Sequence, residues 1–386
     1  MSKLIFEAKT RHDHSPQKYT EDSFSFCDRS AWQAIENVRH LLNDWASAYP
    51  EVEAGELISR FRTEFDAVFF ELFIYTFFSR LNFELHPHPI MSHTTKRCDF
   101  KATDINGDFF LECITTNGLS YEEEGRKNTE HLFYDFINEM NCPGFYLKLV
   151  EVNFKGAGYP AFKKIRQYLE QEINAIDPDT IPIALIREFK NLPALIHDDP
   201  KFRLTLQLVP KPLEAREKKT RAIGVFTTKF HNGGFGHVLA DAIKRKAGKY
   251  GRIPAPFMIA INALTELPID DYDIEDALFG GLMTNRVPLI LKGEYVIPAT
   301  VESSFFAFGK PVHTRVSAVL VTRVNPTNLA HAKYWIYYHP MAAKELDLDR
   351  LNLASYRINS NGIHIMEGRS IKEVLDVPYD WPGEKK

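Results

Sequence analysis

The stretch "KRCDFKATDINGDFFLECITT" (residues 96–116) carries alternating residues on both sides of an Asn106-Gly107 pair, with a carboxylate on each arm. Asn-Gly between alternating runs predicts a two-residue hairpin turn, because a type I′ turn needs positive φ at both central residues. With that turn Ile105 faces Asp108, Thr103 faces Phe110, Lys101 faces Glu112 and Asp99 faces Ile114. Side chains alternate between the faces of a strand. Phe100, Ala102, Phe109, Leu111 and Cys113 therefore make an apolar face, while Asp99, Lys101 and Glu112 share the other with Phe110 and Ile114. One side belongs on a core and the other presents ionisable groups.

In this register the Cβ atoms of Lys101 and Glu112 stand about 5 Å apart, and Asp99 lies diagonally from Glu112. Two carboxylates with an amine beside them suit metal-assisted phosphodiester hydrolysis. Carboxylates hold Mg²⁺ or Mn²⁺ through a few oxygens and water fills the remaining positions. The ion lowers the pKa of a bound water and offsets phosphate charge, and the amine stabilises charge that develops in the transition state. A plainer reading exists: a Lys101–Glu112 cross-strand ion pair, with Asp99 capping a strand end. From the hairpin alone the plainer reading is the stronger, because short motifs often match by chance.

Outward from the hairpin, helical and strand patterns alternate. Residues 30–48 have apolar side chains at helical spacing, with Ser30 a candidate N-cap. A second helix is expected from Glu56 to Leu81, with Phe61, Phe65, Phe69, Leu72, Phe73 and Phe77 on one side. "NFELHPHP" (82–89) reads as a short strand closed by prolines. Beyond the hairpin come a helix ("NTEHLFYDFINEM", 128–140), a strand ("GFYLKLVEV", 144–152) and an amphipathic helix (159–176). Two strands, "FRLTLQLV" (202–209) and "RAIGVFTT" (221–228), flank a basic turn. "GHVLADAIKRKAGKYG" (236–251) predicts a helix with Gly251 in a C-cap-like position. "APFMIAINAL" (255–264) is the continuous apolar run of a strand buried on both faces. "KYWIYYHPMA" (333–342) is the clearest strand of the last hundred residues. The expected class is α/β or α+β, a central mixed sheet flanked by helices.

The totals set bounds. The 386 residues are 44% hydrophobic and 25% charged, ordinary for a soluble globular chain. A net charge of −4 argues against general coating of nucleic acid but leaves room for a local basic face. Residues 214–221 and 244–252 are basic and 265–280 acidic, patterns that usually mark solvated surface. Cys27, Cys98, Cys113 and Cys142 show no CxxC spacing, so reduced thiols are expected rather than a zinc knuckle or a disulfide framework. The N-terminal residues do not resemble a secretion signal, and no apolar run is long enough to span a bilayer. A cytoplasmic location follows as the expectation, with no membrane partner.

From Glu71 to Glu112 the chain resembles the PD-(D/E)xK, or restriction-endonuclease-like, nuclease superfamily. "FFELFIYTFFSRL" places Glu71 in the helical acid position, "KRCDF" places Asp99 in the Asp position, and "FFLEC" places Glu112 in the following acidic position. More narrowly, "HPHP", "PKPLEAR", "AIGV", "KRKAGKYG" and "DALFG" make residues 60–345 similar to an uncharacterised bacterial group. The resemblance implies a restriction-endonuclease-like core with large elaborations and a Mg²⁺- or Mn²⁺-dependent nuclease acting on nucleic acid, DNA by preference. Glu71, Asp99 and Glu112 would be the metal ligands. Restriction of foreign DNA is the role the superfamily suggests.

Two positions depart from the family pattern. The lysine expected two residues after Glu112 is Ile114, and the proline before the Asp is Cys98. Either the amine has migrated, with Lys101 the first candidate and Lys96 and Lys127 weaker ones, or the site has degenerated. In the second case the protein binds nucleic acid or a protein partner without turnover. Basic residues Arg216, Lys218, Lys219 and Arg221, and Lys244, Arg245, Lys246 and Lys249, are candidates to track phosphates. A homodimer is a further candidate assembly.

Remaining motifs are weaker. His86, His88 and His93 lie near the hairpin; His86 and His88 would share a face of an extended strand, but no third ligand at helical spacing accompanies them, and they read as polar strand-end residues. "HNGGFGHVLADAIKRK" (231–246) lacks the GK[ST] ending of a nucleotide loop, and no GxSxG elbow occurs. The expected division is a helical segment at 1–50, a nuclease-like core at 51–155, an elaboration at 156–285 that could complete the same core, and a C-terminal α/β extension at 286–386.

Overall fold

The computed structural model describes residues 4–91, 95–156, 160–188, 191–218, 220–226, 236–251, 253–265, 268–279, 305–306, 311–359 and 362–383. The chain divides into two compact units. Residues 1–15, 22–119 and 233–386 form the first, and 16–21 with 120–232 form the second. In chain order the elements are α1 (Ser23–Arg29), α2 (Gln33–Ser47), α3 (Glu51–Arg60), α4 (Phe65–Arg80), β1 (Glu84–Pro87), β2 (Phe100–Asp104) and β3 (Gly107–Thr116). Next come α5 (Tyr121–Asn138), β4 (Phe145–Phe154), α6 (Phe162–Asn174), α7 (Ile183–Glu188), β5 (Ala194–Asp198), β6 (Phe202–Pro210), α8 (Leu213–Arg216) and β7 (Ile223–Phe226). The remainder are α9 (Gly236–Ala247), β8 (Phe257–Ala263), α10 (Asp271–Phe279), β9 (Ala318–Thr322), β10 (Tyr334–Tyr338), β11 (Ser355–Asn359), β12 (Gly362–Met366) and α11 (Ile371–Leu375). The fold is mixed α and β, with two mixed sheets flanked by helices.

The first unit is built on an eight-stranded sheet in the order β1-β2-β3-β8-β9-β10-β11-β12. β1, β2 and β3 pair antiparallel, and β3, β8 and β9 run parallel. Every residue of β8 is buried, as a central strand covered on both faces requires. Alternation along β3 then divides two cores. Phe109, Leu111 and Cys113 join the phenylalanines of α4 and Val38, Leu42 and Trp45 of α2. Phe110 and Ile114 join Leu239, Ala242 and Ile243 of α9 and Ile274 and Leu278 of α10. α4 is buried almost all round because helices cover the side it turns away from the sheet.

The second unit carries its own sheet, β5-β6-β4-β7, and its own core. Phe133 and Ile137 of α5 and Ile165, Leu169 and Ile173 of α6 pack with Leu147, Leu149, Leu204, Leu206 and Leu208. Residues 16–21 belong here because the Asp135 carboxylate accepts hydrogen bonds from the backbone of Tyr19 at 2.7 Å and Thr20 at 2.9 Å. Among the described residues no helix is long and apolar enough to cross a membrane. No disulfide links the four cysteines, all of which are buried.

Several elements differ from the sequence-based expectation. Ser30 caps the C-terminus of α1 rather than starting α2, whose N-cap is Trp32. The helix expected over 56–81 is two helices, α3 and α4. The break lets Phe61 and Phe65 meet edge-on, with ring centroids 5.6 Å apart. α5 starts seven residues early, at Tyr121, because Ser120 and Glu123 form a reciprocal capping box. β4 lies in the second unit, whereas α9 and β8–β12 belong to the first, with β8–β12 in its sheet, so the boundaries at 155 and 286 do not coincide with those of the two units.

The hairpin register also differs. Asp104 pairs with Gly107, so Ile105 and Asn106 form the turn. The Asp104 carboxylate accepts from Asn106 N at 2.8 Å and so fixes the tip one residue earlier than the Asn-Gly rule places it. Lys101 therefore faces Phe110, not Glu112. The partner moves by two residues, which leaves every side chain on its expected face.

Candidate functional site

Glu112 stands in the middle of β3, between β2 and β8, and is 0% exposed. A carboxylate there needs charged or hydrogen-bonding partners, since an isolated buried charge is very costly. They come from the end of α9 and the turn after it. Lys246 and Lys249 both donate to Glu112 Oε1, Lys249 at 2.9 Å. The Tyr250 hydroxyl bonds Glu112 Oε2 and, at 3.0 Å, the carbonyl oxygen of Arg97. Lys246 lies in the last turn of α9, and Lys249 and Tyr250 in the turn that follows it, where Lys249 N donates to the Lys246 carbonyl at 3.1 Å. Burial alone would lower the Lys246 ammonium, but the hydrogen bond and charge of Glu112, with the charge of Asp99, raise it overall. The Lys246 side chain stays charged at neutral pH.

Asp99 immediately precedes β2, and its Oδ2 accepts the backbone N–H of Cys113 at 2.6 Å. Burial, and then the charge of Glu112, push its carboxyl up to about 7; the Cys113 N–H opposes this, the charge of Glu71 adds to it and Lys246 counters it. Burial, followed by the charges of Glu112 and Asp99, likewise raises the Cys98 thiol, to about 12. Asp99 and Glu112 thus share one electrostatic environment on the α9 side of the hairpin.

Glu71 is placed differently. It lies on α4, across the sheet from α9, and the Arg60 guanidinium grips both its oxygens at 2.7 and 2.9 Å. Among the described residues no group of three or more His, Cys, Asp or Glu side chains converges to hold a metal ion. The expected cage of Glu71, Asp99 and Glu112 is therefore not closed in this arrangement. Lys101, expected beside Glu112, pairs instead with Asp108 at 2.6 Å on the partly exposed part of the hairpin. Lys127 lies on α5 in the second unit. The amine nearest the acids comes from the helix, not the neighbouring strand.

A divalent ion fits part of this set. Asp99 and Glu112 offer hard oxygens of the kind Mg²⁺ prefers, and two carboxylates desolvated together are stabilised by a cation between them. Asp99 Oδ1 makes no hydrogen bond among the described residues, whereas both oxygens of Glu112 are engaged. Binding would require an ammonium to leave Glu112. Glu71, held by Arg60, does not fit as a direct ligand.

The basic residues scatter. Lys244 and Arg245 are exposed on α9, and from elsewhere in the first unit Arg315 donates to the Gly251 carbonyl at 3.1 Å and Lys344 to that of Pro254. In the second unit Arg216 grips Asp179 at 2.6 and 2.9 Å, Arg221 lies over the Tyr19 ring at 5.3 Å, and Lys218 is exposed. Lys219, His93 and the glycine loop at 231–235 lie outside the described residues. His86 faces Lys101 across β1 and β2 and His88 follows the end of β1, consistent with strand-end roles. Sequence reasoning missed Tyr250 and read Lys246 and Lys249 as phosphate-tracking residues rather than as partners of Glu112. The clue was their cluster at the end of a helix, just ahead of a fully apolar strand. Comparison with protein-family models, curated proteins and solved structures finds no match to this chain.

Proposed function

We propose that this protein is a metal-dependent, nuclease-like hydrolase of phosphodiester bonds in nucleic acid, with DNA the expected substrate and Mg²⁺ or Mn²⁺ the ion. One observation carries the reading: two ammonium groups from α9 and its following turn converge on a buried Glu112 beside Asp99, supplying the amine that Ile114 does not. In nuclease-like folds a helix leading into a buried strand flanks the active site, and in this reading α9 with β8 would be that unit.

In this reading Asp99 and Glu112 hold the ion, which when bound supplies an activated water and offsets phosphate charge. Lys246 and Lys249 direct ammonium groups at the phosphate, where charge develops. Tyr250 positions both acids, since it ties Glu112 to the segment that leads into Asp99. Lys244, Arg245 and Arg315 contact neighbouring phosphates. Lys218 and Lys219 would do so for the second unit, with Arg216 and Arg221 contributing less because they are already engaged.

The test is cleavage of DNA and RNA with Mg²⁺, Mn²⁺ or EDTA, comparing the native chain with Glu112→Gln and Asp99→Asn. Metal-dependent cleavage lost in both variants supports the reading, and no cleavage by the native chain overturns it. A second reading, a silent nucleic-acid-binding protein, is favoured by the full engagement of Glu112. It predicts salt-sensitive binding without turnover.

A further inference from the structure

Around Glu112 the ammonium groups already match or exceed the negative charge without any metal, since the Asp99 carboxyl is raised to about 7. Two carboxylates, Asp99 and Glu112, stand with two ammonium groups, Lys246 and Lys249, and Glu71 is matched separately by Arg60. A divalent cation entering alone would leave at least two surplus positive charges around a carboxylate that is fully buried. Uncompensated charge in such surroundings is strongly disfavoured. The cation would also need an oxygen that Lys246, Lys249 or Tyr250 already occupies. A displaced ammonium, its side chain about a third exposed, turns to water or to a stronger acceptor. A phosphodiester supplies what is lacking: a negative charge, and two non-bridging oxygens that accept charge-assisted hydrogen bonds.

Building on the nuclease reading, we propose that Lys246 and Lys249 form a latched phosphate subsite. They hold Glu112 until a divalent cation and a phosphodiester enter together, and then transfer to the phosphate oxygens. Metal affinity and substrate affinity are consequently coupled, and thermodynamic linkage makes the coupling reciprocal. Lys249→Met removes one positive charge at nearly constant length. It therefore eases entry of the cation alone while weakening the gain from phosphate.

The experiment is Mn²⁺ binding to the full chain, followed by electron paramagnetic resonance, with and without a short DNA oligonucleotide. Any cleavage during the measurement still leaves phosphodiesters present. The expected result is Mn²⁺ affinity at least about tenfold higher with oligonucleotide, a factor typical of a coupled pair of sites. In Lys249→Met the ratio shrinks and Mn²⁺ alone binds more tightly. Equal Mn²⁺ affinity with and without oligonucleotide, still abolished by Glu112→Gln, overturns the latch and leaves the metal site standing. No Mn²⁺ binding under either condition removes the metal reading and the latch with it. The comparison on the native chain decides the matter even if a lysine variant fails to fold.

Discussion

Lys249 Nζ lies 2.9 Å from Oε1 of Glu112, although 137 positions separate the two residues in the chain. Residues 120–232, most of the second unit, lie between β3 and α9 in the chain, and the pairing of β3 with β8 brings the acid and its amines together. That contact replaces the strand-to-strand amine that the hairpin alone suggested.

Lysine substitutions should separate the two assignments. Lys246→Met and Lys249→Met are expected to slow cleavage by about a hundredfold or more, the usual cost of removing a donor to developing charge. Lys101→Met should leave the rate within about twofold and cost at most ~1 kcal/mol of stability, as expected for a partly exposed ion pair. Single-turnover rates and urea unfolding of the three variants check this. A large rate loss confined to Lys101→Met would return the catalytic amine to the hairpin.

Glu71 and Arg60 form a pair whose halves are not independent. Arg60→Met leaves the 8%-exposed Glu71 charged without its guanidinium and should destabilise the fold by about 3 kcal/mol. The double variant Arg60→Met, Glu71→Leu should recover much of that loss. A double-mutant cycle by chemical denaturation measures it, and strictly additive effects would refute the coupling.

The Asp99 carboxyl imposes a pH slope. Its folded value is raised to about 7, from an ordinary value of 3.8. Between these the folded state keeps a proton that the unfolded state has released. The associated stability is fully present below the unfolded value and is lost as pH rises through the folded one. Asp99→Asn, neutral throughout, lacks that slope. Unfolding midpoints at about pH 5 and about pH 8 should show the native chain losing stability relative to Asp99→Asn as pH rises. A parallel pH response in the two proteins would contradict it.

In the second unit Gly224 is a close-approach position. A Cβ built there would sit 2.8 Å from the Tyr146 Cβ, on the neighbouring strand β4. Gly224→Ala should therefore cost about 1–3 kcal/mol by overpacking. Native-state hydrogen exchange across β4 and β6 reads the loss locally, and unchanged protection there would show that the strand yields without strain.

Much of this architecture is local and so was legible in the sequence. Alternation through 100–116 set which side chains face the core, and a two-residue error in register could not disturb it because the strand period is two. Asp99 and Glu112 on one face, and an all-apolar β8, are consequences of that same short-range rule. Three decisions lay beyond it. The hairpin tip was fixed by the Asp104 side chain bonding Asn106, a choice between nearly equivalent turns. Glu71 was committed to Arg60 only when the expected long helix broke into α3 and α4. The partners of Glu112 were decided last, because no periodicity relates residue 112 to residues 246, 249 and 250. A buried carboxylate takes whichever cations the assembled sheet carries to it, and here the sheet delivers the end of α9.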